Sequence, residues 1–432
     1  MGIKPAVARE PERAAEIKVG PLARIFRAFS YRDFRLLWFG AFTSSSGTWL
    51  QQTAQSWLLF ELTRKEFFLA LDSFLLTAPI LLFSLIGGVI ADRVDRRRIL
   101  LVSQFLQLTF AFTLAGMVAF GIWPRILVAA ILTISFLTGC AQAFGGPAYQ
   151  ALVPMLVERR DLANAVALNS IQFNLARFIG PAINIIPFML IPSAMMAAAA
   201  SFGINGISFV AVIIAITALR VRHIPQPDPH QARNWRLELK TGLKFVTQHE
   251  ALVSLTLLSS VSAFLGTQLT TFLAVFAQKI FHSGGSGYST LLSISGAGAV
   301  AGALVVAGLG DIRHKGITAL ATLGLSGLAI VFFASSSSIW FAYPLVFLAG
   351  LTMMMGFALI QSLVQLLVSD QMRGRVMSIY MVAFRGGMPL GALVTGTLAQ
   401  YFPIQRILAV EGGLMAAIAL ALLLSKSRIK EH

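Results

Sequence analysis

The chain has 432 residues, of which 56% are hydrophobic and only 12% charged, against about 25% charged in an average soluble domain. A soluble fold of this size has nowhere to hide so much apolar surface, whereas helices in a bilayer satisfy their own backbone and leave that surface to lipid. The net charge is +16, and the single cysteine, Cys140, excludes an internal disulfide and a cysteine-rich zinc site.

In chain order, residues 1–33 carry Lys4, Arg9, Arg13, Lys18, Arg24, Arg27 and Arg32 without an apolar core, so they read as a polar tail rather than a cleavable signal peptide. A membrane helix needs roughly 20 mostly apolar residues. Twelve such stretches follow, at 34–60, 67–91, 97–120, 124–146, 163–190, 194–219, 251–280, 287–310, 316–335, 339–367, 375–400 and 404–425. A hydrophilic linker with Pro225, Pro227 and Pro229 separates the sixth from the seventh. Within it Trp235, Leu239, Leu243 and Val246 recur at helical spacing, the pattern of a short amphipathic helix on a membrane surface. The sequence therefore predicts an all-α membrane protein with a tail over 1–33 and a six-helix bundle over 34–219. A linker over 220–250, a second six-helix bundle over 251–425 and a tail over 426–432 complete it.

Lys and Arg orient this arrangement. With alternating spans, 27 of the 34 fall on the side of the N-terminal tail, five on the other, and Arg177 and Arg385 lie inside spans. Basic loops stay in the cytoplasm, which predicts a multi-pass protein of the cell (inner) membrane with both termini and the linker inside. The same bias accounts for the net charge through topology and anionic lipid headgroups, not through nucleic acid.

The two halves echo each other. Ser170, Arg177 and Pro181 in the fifth span match Ser378, Arg385 and Pro389 in the eleventh at one offset, and Asp92 and Asp311 sit in corresponding loops after the second and eighth. Internal repeats with a site at the midplane between them are a recurring carrier architecture.

The loop after the second span, Gly88-Val-Ile-Ala-Asp92-Arg93-Val-Asp95-Arg96-Arg97, resembles the loop signature of the major facilitator superfamily, with Asp95 where a Gly is common. The second copy, Ala307 to Gly316, keeps Asp311 but has Ile312 in place of Arg. Trp38, Gly47-Thr48-Trp49-Leu50-Gln51-Gln52, Asn164 to Ser170 and Arg373 to Ser378 are similar to the enterobactin-exporter-like group within it. That resemblance runs from residue 31 to about 400 and implies two pseudo-symmetric six-helix bundles and a proton-coupled exporter.

Several residues then carry functional expectations. Asp92, a single carboxylate among Arg93, Arg96, Arg97 and Arg98 at a helix end, reads as one side of a gate contact that holds one conformation and breaks in the other; Gly88 and Asp311 complete the gate motif. The arginines alone also serve as topology determinants. Ser44, Thr48, Gln51 and Gln55 share one face of the first helix, facing either a water-filled cavity or neighbouring helices. Ser170, Asn174, Arg177 and Pro181 share a face of the fifth, and Arg385 repeats it in the eleventh. These arginines either face the cavity or cap carbonyls freed by the prolines. Gly180-Pro181 resembles the core of the antiporter motif of family exporters, but Asn184 and Ile185 replace its trailing glycines; a plain helix kink is the other reading. Asp72 and Glu411 are the acids within spans and the candidates for proton coupling.

These features predict a secondary transporter of a small amphipathic molecule, siderophore-like or drug-like. It needs no cofactor or metal beyond an ion gradient of protons, and its partners are that substrate and membrane lipid. A lipid or lysolipid flippase on the same scaffold is the second reading, and a non-transporting receptor or scaffold the third. The chain carries no G-x-x-x-x-G-K-[ST] loop and no nucleophile triad, which leaves an enzyme reading without support.

Overall fold

The computed structural model of the protein describes residues 26–220, 235–310 and 314–425, apart from the side chains of Leu85, Val89, Asp92, 235–239 and Asp370. Most of both tails, much of the linker, Asp311 and the Asp92 side chain therefore lie outside the described residues.

The described chain is helical throughout. The long helices are α1 (Arg32–Thr63), α2 (Glu66–Arg93), α3 (Arg96–Ala119), α4 (Pro124–Leu152), α5 (Leu162–Leu190) and α6 (Ala194–Thr217). After a surface helix (Trp235–Gln248) come α7 (Glu250–Ile280), α8 (Gly284–Leu309), α9 (Lys315–Ser335), α10 (Ile339–Leu366), α11 (Asp370–Leu398) and α12 (Ile404–Leu424). Eleven of these are long and apolar enough to cross a membrane. The other, α1, spans 32 residues, about 48 Å at 1.5 Å per residue; its Ser, Thr and Gln side chains lower its hydropathy, not its length. The seventh span differs from one regular helix. It breaks at Thr267 and ends in a π-helical turn over Phe276–Ile280.

Glycines set how closely helices approach. A Cβ on Gly139 of α4 would collide with the carbonyl of Leu76 in α2, and one on Gly87 of α2 with that of Ala143 in α4. The second half repeats this reciprocal contact between α8 and α10, where Gly298 faces the Phe347 carbonyl and Gly350 that of Ser295. Lipid offers no hydrophobic drive for helix association, so such close backbone packing supplies much of the cohesion.

Call the end bearing the α2–α3, α4–α5 and α6–α7 connections the basic end, and the opposite one the far end. Buried apolar side chains form three cores. The far-end core draws on both halves: Trp57, Phe60 and Ala70 pack with Phe272, Phe276 and Tyr288. The two at the basic end are separate. Phe34, Leu37, Leu152 and Phe209 belong to the first half; Val246 of the surface helix, Leu252, Leu359 and Tyr380 belong to the second. The halves are joined at the far end and apart at the basic end.

The glycine contacts give a stability prediction. Gly139→Ala and Gly298→Ala force α2–α4 and α8–α10 apart and should cost about 1–3 kcal/mol each, the usual range for overpacking. Gly203→Ala, whose Cβ would meet nothing within 4 Å, should leave the apparent melting temperature of purified protein unchanged or slightly raised. Equal melting temperatures for all three would contradict the packing account.

Candidate functional site

The join at the far end is polar as well as apolar. The π-helical turn of α7 points two consecutive side chains at the other half: Lys279 Nζ lies 2.6 Å from Glu66 Oε1, and Gln278 donates to Glu61. Glu61 also pairs with Arg64 at 2.6 Å. Beside them Trp57 of α1 stacks on Tyr288 of α8 with centroids 6.2 Å apart. Asn184 of α5 donates to Ser289 of α8 at 3.1 Å and accepts from Ser201 of α6 at 2.7 Å. A π turn inserted in an α-helix frequently marks a functional position; this one brings a donor and a cation to two carboxylates across the interface.

Toward the basic end the same helix faces are uncovered. On α5, Arg177 lies seven residues from Asn184 and so on nearly the same face. One to two turns further, Ser170 and Phe173 are exposed and Asn174 half-buried. On α1 the half-buried positions Ser45, Trp49, Gln52 and Ser56 recur at helical spacing. Trp49 meets Phe173 edge-on at 6.3 Å, and the Arg177 guanidinium sits over the Trp49 ring, 5.5 Å from its centroid. These surfaces line a cleft between the halves, open at the basic end and shut at the far end.

The structure distributes the sequence-derived residues unevenly. Ser44 Oγ is 3.3 Å from Gln104 of α3, Gln51 accepts from Asn205 of α6 at 2.7 Å, and Gln55 is buried against α2 and α4. Their side chains are taken up inside the first half, while Thr48 bonds the Ser44 carbonyl at 2.9 Å. Of the two expected settings for this stripe, three of its four members occupy the interhelical one; the surface turned to the cleft is the adjacent one carrying Trp49 and Gln52. Ser170 and Asn174 bond backbone carbonyls of α5 at 3.1 and 2.9 Å and stay on the uncovered face.

Gly180 is buried because a Cβ there would strike Trp49 and the Ser46 carbonyl, so it lets α5 touch α1. The helix continues through Pro181 to Leu190. Gly88 has open space where a Cβ would stand.

In the loop motif, Arg96 donates to the carbonyls of Ala91 at 3.2 Å and Ala151 at 3.1 Å. Arg97 donates to the carbonyl of Leu219 at 3.0 Å and to that of Thr217. Both thereby cap helix C-termini, where carbonyls are left over and positive charge is favoured. Asp95, the departure from the family pattern, accepts from the Arg97 amide at 2.9 Å and is the N-cap of α3. Arg93 is exposed.

The two intramembrane acids lie toward the far end in different settings. Asp72 is buried, with Gln55 Nε2 at 2.9 and 3.1 Å from its two oxygens and Ser135 Oγ at 2.5 Å. Glu411 accepts from Thr395 Oγ1 at 2.5 Å, and its other oxygen is buried without a hydrogen-bond partner. Missed by sequence reasoning were Glu61, Glu66, Gln278 and Lys279, which sit at span ends and look like loop residues. Opposite charges at the far end, where basic residues are scarce, were the available signal.

Breaking the far-end contacts should shift the balance between conformations. A partly exposed ion pair is worth about 0.2–1 kcal/mol, so Lys279→Ala should change the ratio of states roughly 1.4- to 5-fold. In a Cys140→Ala background, thiol labelling of Ser170→Cys in nanodiscs should slow by at most that factor, and the swapped pair Lys279→Glu with Glu66→Lys should recover it. An unchanged labelling rate in Lys279→Ala would dismiss the gate.

A family profile described as transmembrane secretion effector matches residues 23–432. The chain is 26% identical over 383 residues to the staphyloferrin A transporter of Staphylococcus aureus, covering 85% of this chain and 89% of the relative. It is 24% identical to the multidrug efflux pump Tap of Mycolicibacterium fortuitum, over 84% of this chain and 88% of that one. With macrolide efflux protein A of Streptococcus pyogenes the identity is 21%, over 90% and 94%. In fold it is similar to a POT family transporter solved with 5-aminolevulinic acid, TM-score 0.74 at 12% identity, covering 92% of this chain and 96% of that one. It is likewise similar to the nucleoside transporter NupG, TM-score 0.67 at 15% identity, covering 91% and 100%. With twelve long helices among its described residues, in two halves joined at one end, the chain belongs to the transmembrane secretion effector family of the major facilitator superfamily and is a multi-pass membrane transporter.

Proposed function

We propose that this protein exports a small amphipathic molecule from the cytoplasm by alternating access, driven by proton entry. The observation that carries the reading is the one-ended join: a shared core and polar contacts close the far end, while separate cores leave the basic end open. The excess of Lys and Arg at the basic end argues that it faces the cytoplasm, so the cleft is the loading state of an exporter. The siderophore, macrolide and multidrug transporters among its relatives support a small-molecule cargo.

Proton coupling needs a carboxyl group that can change protonation without dismantling its bundle. Both oxygens of Asp72 accept hydrogen bonds that tie α1, α2 and α4 together. Glu411 keeps one oxygen free of partners, so a proton can be taken there while Thr395 still holds the other. Glu411 is therefore the favoured coupling residue, and Asp72 a structural clamp.

Two experiments follow. In inside-out vesicles acidified within, uptake of a panel of amphipathic dyes and siderophore-type chelators should accelerate with the gradient, one pH unit being worth roughly tenfold in accumulation per proton. Glu411→Gln should abolish that acceleration while leaving gradient-free exchange intact; full acceleration in Glu411→Gln excludes it as the coupling group. For orientation, Pro227→Cys in a Cys140→Ala background should resist impermeant thiol reagents added outside intact cells, and rapid labelling would invert the assignment.

A further inference from the structure

From the cleft itself we infer that the transported molecule is an anion, bound through carboxylate or similar oxyanion groups by Arg177 and Arg385 with Trp49 as an aromatic platform. The inference rests on the export reading above and narrows it to a substrate class.

The placement of the two arginines carries it. Each is the sixteenth residue of its 29-residue helix, Arg177 in α5 and Arg385 in α11, so both lie at mid-membrane. Each is on the face that meets the opposite half further along. Arg177 is seven residues from Asn184, which bonds Ser289. Arg385 is eleven residues, or about three turns, from Gly396, whose missing Cβ makes room for Ala70 of α2. On α11 that face is exposed at Arg385, while on α5 the α8 backbone at Gly296 reaches the Arg177 carbonyl and Phe178, so the half-buried Arg177 stands at the inner limit of the uncovered face.

Neither guanidinium makes a hydrogen bond or an ion pair among the described residues; the Arg177 head rests over Trp49, and Arg385 is exposed. That contact also bears on the alternative in which these arginines cap carbonyls near Pro181 and Pro389, since no such bond is formed.

The charge is not balanced in place. Within the spans, the described acid side chains are Asp72 and Glu411, both buried and bonded inside their own halves near the far end. A bulky cation entering this cleft would find two positive charges, an aromatic ring that Arg177 already covers, and no carboxylate among the described residues. An anion finds two planar forks, each able to hold a carboxylate with two parallel bonds, and Phe173 and Trp49 for its apolar part. One fork on each half also gives the ligand a means to draw the halves together at the basic end, since only a ligand contacting both halves favours their closure.

Two xanthene dyes of similar size and opposite charge provide the test: carboxyfluorescein, a polyanion, and tetramethylrhodamine methyl ester, a cation. Uptake into inside-out vesicles acidified within is read after lysis at a single pH. Wild type should accumulate carboxyfluorescein in preference to the cation. Arg177→Ala and Arg385→Ala should each raise the KM for carboxyfluorescein about tenfold or more, with melting temperature and expression unchanged. Arg177→Lys, which keeps the charge but loses the fork, should fall between. Arg177→Glu should turn the preference toward the cation, an effect a carbonyl-capping arginine cannot produce. A wild type that accumulates the rhodamine and not carboxyfluorescein overturns the anion assignment and leaves export standing. A wild type that moves neither dye overturns the export reading and this inference with it. Unchanged carboxyfluorescein kinetics in both alanine variants also overturns it.

Discussion

Glu61 and Glu66 meet Gln278 and Lys279 across the far end of the interface between the two halves. The contact is exposed on one side and modest in energy. Its importance is positional, because it caps a shared apolar core at the end where α1, α2, α5, α7, α8 and α11 converge. Everything nearer the basic end, including the cleft faces, the half-buried Arg177 and the exposed Arg385, depends on which end is held shut. A contact too strong would trap the carrier, and one within a few RT lets a ligand of moderate affinity tip the balance.

The fold was legible because it is governed by hydropathy and charge, which act residue by residue. Twelve apolar runs map onto twelve helices with ends shifted by a few residues, and α1 was recognisable despite its polar side chains because Phe34, Leu37, Trp38 and Leu50 still recur along it. The π turn at Phe276–Ile280 was not legible: Phe-Ala-Gln-Lys-Ile has nothing to distinguish it from α-helix, and the extra residue is accommodated by tertiary contacts at Glu61 and Glu66.

The site was legible in part, and the failures share a cause. Helical periodicity puts Ser44, Thr48, Gln51 and Gln55 on one stripe but does not say which neighbour that stripe meets; in the folded chain Asn205, Asp72 and Ser135 meet it. Asn184 read as a defect in a glycine pattern, yet its amide joins the two halves. Asp95 read as a defect in the loop signature, yet it caps α3. Arg177 and Arg385 were visible because a mid-span charge costs roughly 2.5–3.5 kcal/mol on insertion scales, a penalty large enough to stand out in sequence without any knowledge of contacts.

That penalty also explains why the open end matters to the arginines. Neither has a protein counter-charge among the described residues, so each must keep water or a ligand at its head. With the basic end open, water reaches them through the cleft. If the halves close there without a ligand, two unpaired cations lose that water, and the closed state is disfavoured by the desolvation of both. An oxyanion ligand neutralises them as the water leaves, so closure becomes favourable mainly when the cleft is loaded. An empty carrier of this design crosses slowly. The return step after release at the far end meets the same cost, and proton uptake at Glu411 would supply no counter-charge to the arginines but would remove the charge of one buried carboxylate from the second half. In the proposed cycle, exporting an anion and admitting a proton would both move positive charge inward, each favoured by about 2.3 kcal/mol per 100 mV of inside-negative potential. The cycle thus runs in one direction under the potential, with no need for the far-end contact to be strong.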